Sequence, residues 1–283
     1  MKSEQNIEIP LVTVVMSTYN ETLQYVREAV ESIFRQTCRG IVFIVTIDNI
    51  KNAEVVAYLE SFAQNDKRLI LQYNQAPQGL AFCRNRAIEA AQTEYVALMD
   101  ADDISLSDRI EKEIEWMKKT GADLVFSHVE YINAEGESLG FFKPFIKKLS
   151  RDIFLRHLFV HPSGLIKRNV FEKNTYDTAF KRSQDLDLWL RLYKKGYKFS
   201  IVPNVLLQYR LLRSSNATDR IKKQAGYSHF GFAVARKHLK NFWHRPTYWY
   251  FLSKKTIYFA LYKLLPDFLL QVILRTRDII LRR

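Results

Sequence analysis

The first half of the chain alternates between two hydrophobic patterns. Residues 11–16, LVTVVM, are a continuous apolar run rich in β-branched side chains, which predicts a strand buried on both faces and hence a parallel sheet. Apolar side chains then recur at helical spacing over residues 23–34. The same alternation predicts strands at residues 41–47, 69–73, 95–99 and 123–126, and helices at residues 53–64, 79–91 and 107–121. This order predicts an α/β fold with a doubly wound, mostly parallel sheet.

Polar side chains follow the ends of three of the predicted strands. Asn20 and Asp48 come after the first and second strands, and the cluster Asp100-Ala101-Asp102-Asp103 comes after the fourth. Ligands of doubly wound sheets bind beyond the carboxyl ends of the strands, so we expect one crevice to collect these groups. Asn20 and Ser107 are also expected to cap the helices that follow them.

The second half has a less regular pattern. Residues 129–142 contain the turn signal Asn133-Ala134-Glu135-Gly136 and predict a hairpin. The remaining predictions are a strand at residues 164–167, a helix at residues 185–194 ended by Gly196, and a strand at residues 199–209 interrupted at Pro203. After about Ser214 the chain is predicted to be helical, and it becomes basic and aromatic.

Charge is concentrated near the C-terminus. The chain has 283 residues, 47% of them hydrophobic, and a net charge of +13, which is typical of a folded globular protein with a basic surface. Residues 221–283 hold thirteen Lys and Arg against two Asp, together with Trp243, Trp249 and several Tyr and Phe. This combination favours an anionic surface as partner. We expect a membrane and not a nucleic acid, because no nucleic-acid-binding module is recognisable. The alternative is a helical bundle that covers the main domain and leaves a solvated basic face.

Cysteine usage and hydropathy bear on location. Cys38 and Cys83 show no paired spacing, so we expect two reduced thiols and neither a disulfide nor a zinc site. Residues 1–10 lack the apolar core of a signal peptide. Residues 256–274 are interrupted by Lys263, Pro266 and Asp267 and make a poor spanning helix. We therefore expect a cytoplasmic protein.

The acidic cluster is the leading candidate for chemistry. Three carboxylates within four residues repel one another unless a cation is present. An Asp-x-Asp spacing allows one Mg²⁺ or Mn²⁺ ion to meet both protein carboxylates and ligand phosphates. Arg84, on a helix that begins near Gly79, would add a cation and backbone N–H groups that favour a diphosphate. The alternatives are a solvated acidic loop or helix cap, and an ordinary surface arginine.

These residues lie in segments that resemble a known family. The segments are VVMSTYNE, the strand that ends in Asp48, GLAFCRNRAIEAAQTEYVALMDADD and SQDLDLWLRLYKKGYKFSIVPNVLLQYR. Their order and spacing over roughly residues 10–215 resemble the family 2 inverting glycosyltransferases of GT-A fold, of the bacterial surface-polysaccharide type. The resemblance implies a catalytic domain at residues 1–215, with a nucleotide-sugar half at about 10–127 and an acceptor half at about 128–215. Residues 216–283 would form a helical, basic and aromatic extension that either associates with membranes or packs on the catalytic domain.

The resemblance implies a role for each matching residue. On the donor side, Thr18, Tyr19 and Glu21 would lie by the nucleotide, Asp48 or Asn49 would contact the base, Arg84 would lie near the diphosphate, Asp100 would approach the ribose, and Asp102 would bind the metal. On the acceptor side, Asp185 would be the catalytic base, Trp189 and Arg191 would build the acceptor wall, and His161 would border the acceptor cleft. Without the resemblance, Asp185 also suits a helix N-cap and His161 a structural role.

Three positions depart from the family pattern. Asn49 stands where the family commonly has a second Asp, Gln184 replaces the usual Glu before the base, and Leu212 stands where many members carry a His. These departures concern the base contact, the acceptor orientation and a third metal ligand, respectively.

The implied reaction is inverting transfer of a hexose from a nucleoside-diphosphate sugar to a hydroxyl group. We take UDP as the default nucleotide, with dTDP next, and Mn²⁺ or Mg²⁺ as cofactor. The acceptor would be a saccharide or a saccharide linked to a lipid diphosphate at the inner face of the cytoplasmic membrane. A nucleotidyltransferase is an alternative, although residues 17–21 contain no Gly, Lys or Arg, which that reaction's first loop normally has. A non-catalytic protein that binds nucleotide sugars is another.

Overall fold

The computed structural model describes residues 11–155, 158–212 and 217–264. These ranges contain a single sheet of nine strands in the order β3-β2-β1-β4-β8-β6-β9-β5, with β7 paired to β6. The strands are β1 Val12–Thr18, β2 Ile41–Ile47, β3 Leu69–Tyr73, β4 Tyr95–Leu98, β5 Ile104–Ser105, β6 Leu124–Ile132, β7 Ser138–Phe142, β8 Gly164–Lys167 and β9 Phe199–Arg210.

Helices connect these strands and cover both faces of the sheet. The helices in the described ranges are α1 Leu23–Phe34, α2 Ala53–Asn65, α3 Leu80–Glu89, α4 Arg109–Thr120, α5 Leu149–Leu155, α6 Arg168–Phe171, α7 Gln184–Lys194, α8 Ala217–Phe242 and α9 Pro246–Leu264, with one 3₁₀ turn at His161–Ser163. The predicted elements therefore occur at the predicted places, with ends that coincide or differ by a few residues. The hairpin of β6 and β7 confirms the turn signal at residues 133–136.

Strand direction confirms the predicted α/β fold. Strands β1 to β4 are mutually parallel, and β6 and β9 run the same way, whereas β5, β7 and β8 oppose them. Helices α1, α2 and α3 provide the crossovers between the parallel strands, which such pairing requires. The sheet is thus mostly parallel, and its carboxyl edge collects the ends of β1, β2 and β4.

The alternation of side chains along β1 explains the two cores. Val12, Val14 and Met16 pack into one core with α1, α2 and α4, and Val15 packs into the other core with α3. Since a strand buried on both faces needs apolar residues at every position, the continuous run LVTVVM is accounted for.

Three local predictions had different outcomes. Pairing between β6 and β9 skips from Val202 to Val205, so the predicted interruption at Pro203 is confirmed as a bulge within one long strand. Gly121 ends α4 in the left-handed region, at φ 63°. The two predicted helix caps are wrong: Thr22 precedes α1 and Asp108 precedes α4, and neither helix has a side-chain cap. Asn20 instead accepts a hydrogen bond from Asn49.

The described part of the C-terminal extension packs on the second core. Phe242, Tyr248 and Phe251 are buried against Phe154 of α5. Trp243, Trp249 and Tyr250 are exposed. No helix within the described ranges is long and apolar enough to cross a membrane. The part of the predicted extension beyond residue 264, which includes residues 265–274 of the apolar segment 256–274, lies outside the described residues. Within the described ranges, Cys38 and Cys83 do not form a disulfide.

Candidate functional site

A cleft of about 630 Å³ opens at the carboxyl edge of the sheet. It lies where the ends of β1, β2 and β4 meet the N-terminus of α3 and the segment before α7. Among the predicted site residues it is lined by Thr18, Tyr19, Glu21, Asp48, Asp100 and Asp102. The remaining lining residues are Ser17, Pro77, Gln78, Gly79, Leu80, Ala81, Phe82, Cys83, Ala101, Thr178, Phe180, Lys181 and Gln184. The expected crevice therefore collects Asp48, Asp100 and Asp102, whereas Asn20 and Asp103 are not among its lining residues.

Glu21 fixes the loop that follows β1. Its carboxylate accepts hydrogen bonds from the Thr18 hydroxyl at 2.9 Å and from the Tyr19 backbone N–H at 2.6 Å. The Thr18 side chain is buried by this contact, whereas the Tyr19 ring stays 46% exposed at the mouth of the cleft. The loop thus presents the Tyr19 ring to the cleft, and Glu21 holds the loop backbone through its hydrogen bond from Tyr19 N–H.

Asp48 shapes the opposite wall. Its carboxylate accepts hydrogen bonds from the Asn74 side chain at 2.7 Å and from the backbone N–H groups of Gln78 and Gly79 at 2.8 and 2.9 Å. Burial raises the pKa of Asp48, but these hydrogen bonds outweigh burial and lower it below its ordinary value. Gly79 has φ 90°, which suits glycine in this turn. Asn49 bonds to Asn20 outside the set of cleft-lining residues.

Arg84 lies behind the cleft and not in its wall. Its guanidinium donates to Asp100 at 2.8 Å and lies over the Tyr176 ring, 5.7 Å from the ring centroid. Burial opposes the charge of Arg84, but Asp100 and Tyr176 raise its pKa above the ordinary value, so it remains a cation. Arg84 is absent from the cleft lining, where Asp100 is present. Arg84 therefore orients the Asp100 carboxylate from outside the cleft lining.

Lys181 was missed by the sequence interpretation. Among the described residues it is the single Lys or Arg that lines the cleft. The only sequence signal was the pair Lys181-Arg182 shortly before Gln184. Its ammonium is the cation best placed to meet an anionic ligand there.

Arg210 organises the end of the acidic cluster and was also missed. Its backbone N–H donates to the Asp103 carboxylate, and its guanidinium donates to the Asp102 carbonyl, both at 2.8 Å. The same guanidinium pairs with Glu28 and stacks on Tyr25, 4.5 Å from the ring centroid. The available sequence signal was a lone arginine at the end of an apolar strand. From the end of β9, Arg210 fixes the backbone of the acidic cluster.

Negative charge at the cluster is only partly balanced. Burial, Asp100 and Glu21 raise the pKa of Asp102 to about 7. Burial and the neighbouring carboxylates also raise the pKa of Asp103, which is almost fully buried and has one oxygen without a hydrogen-bond partner among the described residues. No group of three or more His, Cys, Asp or Glu side chains in those residues forms a metal site alone. Asp100 and Asp102 nevertheless suit a hard cation that takes further oxygens from its ligand.

Helix α7 places two neighbouring residues on different pockets. Gln184 lines the cleft, whereas Asp185 lines a second pocket of about 360 Å³. Ser183 turns the chain with φ 58° and is the residue before the helix, so Asp185 lies in the first turn and is not the N-cap. Asp185 interacts electrostatically with Arg84 and Tyr176. No hydrogen bond to its carboxylate occurs within the described part of the chain.

Asp187, two residues on, anchors α8 to α7. This fully buried carboxylate accepts from His238 at 2.9 Å and Arg191 at 2.8 Å, and forms an ion pair with Lys237 at 2.7 Å. Burial raises the pKa of Asp187, but these contacts lower it well below the ordinary value. This network was missed because residues 237 and 238 lie far from 187 in sequence. With its oxygens occupied, Asp187 is unsuited to accept a proton from a ligand.

The three predicted acceptor-side residues do not line one pocket, although the rings of His161 and Trp189 lie 6.2 Å apart, centroid to centroid. His161 is buried and hydrogen-bonded through Nε2 to the Tyr176 hydroxyl at 2.8 Å, with Nδ1 3.9 Å from Asp100. Burial, Arg84 and Arg109 lower the pKa of His161, so the ring is neutral and the Asp100 contact is not an ion pair. Trp189 lines the second pocket. Arg191 lines neither pocket and donates to Asp187 and the Thr175 carbonyl.

Comparisons with known proteins place the chain in a family. The family model described as Glycosyl transferase family 2 matches residues 13–175. The chain is 37% identical over 273 residues to "Uncharacterized glycosyltransferase MJ1057" of Methanocaldococcus jannaschii, covering 95% of this chain and 94% of that protein. It is 27% identical to "Putative teichuronic acid biosynthesis glycosyltransferase TuaG" of Bacillus subtilis, covering 75% of this chain and 84% of that one.

A solved structure shows the same fold. S. aureus TarS 1-349 in complex with UDP-GlcNAc matches with a TM-score of 0.62 at 14% identity, covering 81% of this chain and 66% of that one. The chain spans 40% of the longer TarS chain.

Proposed function

Because this chain belongs to the family 2 glycosyltransferases, we propose that it transfers a hexose from a nucleoside-diphosphate sugar to a hydroxyl group of a saccharide or lipid-linked saccharide, with inversion. One observation carries the proposal. The cleft with Asp100 and Asp102 at a strand end meets the N-terminus of α7, where Asp185 carries a carboxylate without a hydrogen-bond partner among the described residues. This arrangement supports a donor site in the cleft with a base beside it.

UDP is the nucleotide we propose. The cleft provides an exposed Tyr19 ring for stacking against a planar base, and its lining also contains the buried Asp48. The TarS structure contains UDP-GlcNAc, and WfgD of Escherichia coli, 24% identical over 214 residues, is described as a UDP-Glc-dependent glucosyltransferase. Relatives named for teichuronic acid and O-antigen biosynthesis support a role in building a surface polysaccharide.

Asp102, with Asp100 beside it, would hold Mn²⁺ or Mg²⁺ together with the donor's diphosphate oxygens. A bound ion of this kind supplies stabilisation of the negative charge that develops on the leaving nucleoside diphosphate. Lys181 faces the same space and adds a second positive charge toward the diphosphate. Arg84 holds Asp100 in place from behind.

Asp185 is the base we propose. The acceptor hydroxyl gives its proton to the Asp185 carboxylate while its oxygen bonds to the anomeric carbon. The bond from that carbon to the diphosphate oxygen breaks on the opposite face, and the electron pair leaves with the nucleoside diphosphate. One displacement inverts the anomeric centre without a covalent intermediate. Gln184 beside the base faces the donor and is uncharged, so it adds no repulsion there.

We also propose attachment to the inner face of the cytoplasmic membrane through α9 and the preceding turn. Trp243, Trp249 and Tyr250 are 63%, 51% and 56% exposed. Trp and Tyr side chains favour the headgroup region, and the surrounding Lys and Arg attract anionic lipid.

A panel of nucleotide sugars tests the proposed function. The full chain with MnCl₂ should gain thermal stability from UDP and from at least one UDP-sugar, and slowly hydrolyse that sugar without an acceptor. dTDP-sugars and GDP-sugars serve as comparison ligands. Absence of stabilisation and hydrolysis across the whole panel would refute a donor site in this cleft.

A further inference from the structure

The second pocket lies on the other side of Asp185 from the donor cleft. It is enclosed by α5, α7, α8, α9 and the residues before the 3₁₀ turn, and measures about 360 Å³. Its wall is largely apolar: Ile153, Phe154, Leu158, Phe159, Leu186 and Phe251. The polar groups among the lining residues include Asp185, Lys254 and Lys255. Such a surface suits a ligand that is apolar at one end and anionic at the other.

Lys255 is the most informative residue in this pocket. Its side chain is half-buried, and no ion pair is formed by it within the described residues. Burial and the adjacent Lys254 lower the pKa of Lys255, and Asp185 acts in the opposite direction. The ammonium lies 5.6 Å from the centroid of the Phe251 ring. Two neighbouring cations beside apolar side chains form a favourable place for a phosphate group.

Gly231 of α8 makes room for this lysine. A Cβ atom at residue 231 would lie 3.3 Å from both Cδ and Nζ of Lys255, which is tighter than most real contacts. A glycine within a helix costs about 1 kcal/mol relative to alanine. The helix therefore carries an unfavourable residue at the point where the ammonium enters the pocket.

Trp189 supplies a further unsatisfied group. It is 3% exposed and lines the pocket, and its indole N–H has no hydrogen-bond partner among the described residues. Buried indole N–H groups usually find a partner. A polar atom of a bound ligand would provide one.

We propose that this pocket binds the acceptor, as an amphiphile whose phosphate or diphosphate group lies at Lys254 and Lys255 and whose apolar chain packs against Phe154, Leu158 and Phe251. This rests on the proposed function, because it places the acceptor's hydroxyl-bearing end at Asp185, beside the donor cleft. The described part of the C-terminal extension thereby contributes directly to acceptor recognition. It does so through α9, which lies outside the residues that the family model matches.

Binding of farnesyl diphosphate to the full chain tests this assignment. We expect farnesyl diphosphate to bind with an affinity well above that of inorganic diphosphate. Lys255→Gln should weaken farnesyl diphosphate binding by about tenfold or more, since it removes a charge-assisted contact. Lys263→Gln, an exposed lysine on the same helix, should leave affinity unchanged. If Lys255→Gln binds farnesyl diphosphate as tightly as Lys263→Gln and the unaltered chain do, at unchanged melting temperatures, the proposal is overturned.

Two further arms separate the alternatives. UDP affinity should be the same in Lys255→Gln and the unaltered chain, so a failure of the donor site is seen independently of the pocket. Flotation with phosphatidylglycerol vesicles should also be nearly unchanged in Lys255→Gln. If Lys255→Gln lowers vesicle recovery but not farnesyl diphosphate affinity, the two lysines serve the membrane surface and the acceptor assignment is wrong.

Discussion

Arg84 and Asp100 form an ion pair of 2.8 Å in which the arginine is buried and the carboxylate faces the donor cleft. The guanidinium supports the cleft floor, while Lys181 is the cation that reaches the space itself. Arg84 and Lys181 therefore have different roles near the proposed diphosphate, and we expect their substitution to have different effects on stability and donor binding.

Arg84→Gln should mainly cost stability and Lys181→Gln mainly donor affinity. Loss of Arg84 leaves Asp100 without its partner, and because that carboxylate is partly exposed we expect a loss of about 2 kcal/mol in the free energy of unfolding. Lys181→Gln should weaken UDP binding by about tenfold at nearly unchanged stability. Urea unfolding and UDP titration measure the two effects, with exposed Lys173→Gln as control. Weakened UDP binding in Lys173→Gln of the same size would contradict the role of Lys181.

Removal of divalent metal should weaken donor binding. In the unaltered chain, EDTA should lower UDP affinity by at least about tenfold, and MnCl₂ should restore it. Asp102→Asn should bind UDP weakly with or without MnCl₂, because the proposed ligand carboxylate is gone. Asp108→Asn, a nearby exposed carboxylate, should respond to MnCl₂ like the unaltered chain. UDP binding that is indifferent to EDTA would remove the metal from the account.

Asp187 should control stability in acid. Its pKa is lower in the folded chain than the ordinary value of about 4, so the carboxylate stabilises the fold above that pH and the contribution is lost as pH falls toward the folded pKa. Asp187→Asn should lower the free energy of unfolding by about 3 kcal/mol at neutral pH, because it removes the carboxylate that pairs with Arg191 and leaves Lys237 with Asp177 alone.

The difference between Asp187→Asn and the unaltered chain should shrink below about pH 4. Chemical denaturation from pH 7 down to pH 3 provides the measurement, and Glu54→Gln on exposed α2 is the control. A constant difference across this range would mean that the carboxylate's charge does not stabilise the fold.

Membrane attachment should depend on the exposed tryptophans. The double variant Trp243→Ser with Trp249→Ser should lose most of its recovery with phosphatidylglycerol vesicles in flotation, since both rings would leave the headgroup region. Phe141→Ser, which removes an equally exposed ring from β7, should float like the unaltered chain. Point variants are preferable to truncation because Tyr248 and Phe251 of the same region are buried in the core. Full recovery of the double variant would refute attachment through this face.

The strands and the donor cleft were predictable because their signals are local. A run such as residues 11–16 reports its own burial, and parallel strand ends must share an edge of the sheet, so Asp48 and the acidic cluster could be placed together from sequence. The predicted cap at Asn20 was wrong because a cap also depends on contacts that are distant in sequence. Asn20 has the right chemistry for a cap, but its side chain accepts a hydrogen bond from Asn49 instead.

The contacts that fix the site were not predictable. Arg210 reaches the acidic cluster across more than one hundred residues, and His238 reaches Asp187 across 51. Residue type alone gives no distance between such positions. The acceptor-side role of His161 stays a prediction, because the buried hydrogen bond to Tyr176 is equally compatible with the structural role that the sequence left open. The positions of Lys181 and Lys255 in the linings of the two pockets likewise follow only from the three-dimensional structure.

The central claim is that Asp185 takes the acceptor's proton beside an intact donor site, and Asp185→Asn tests it most directly. UDP binding and donor-induced thermal stabilisation should match the unaltered chain, because Asp185 does not line the donor cleft. Transfer to the acceptor, measured with the sugar donor found in the panel, should fall by at least about 10²-fold, the usual contribution of a general base. Turnover near that of the unaltered chain, with donor binding retained, would contradict the account.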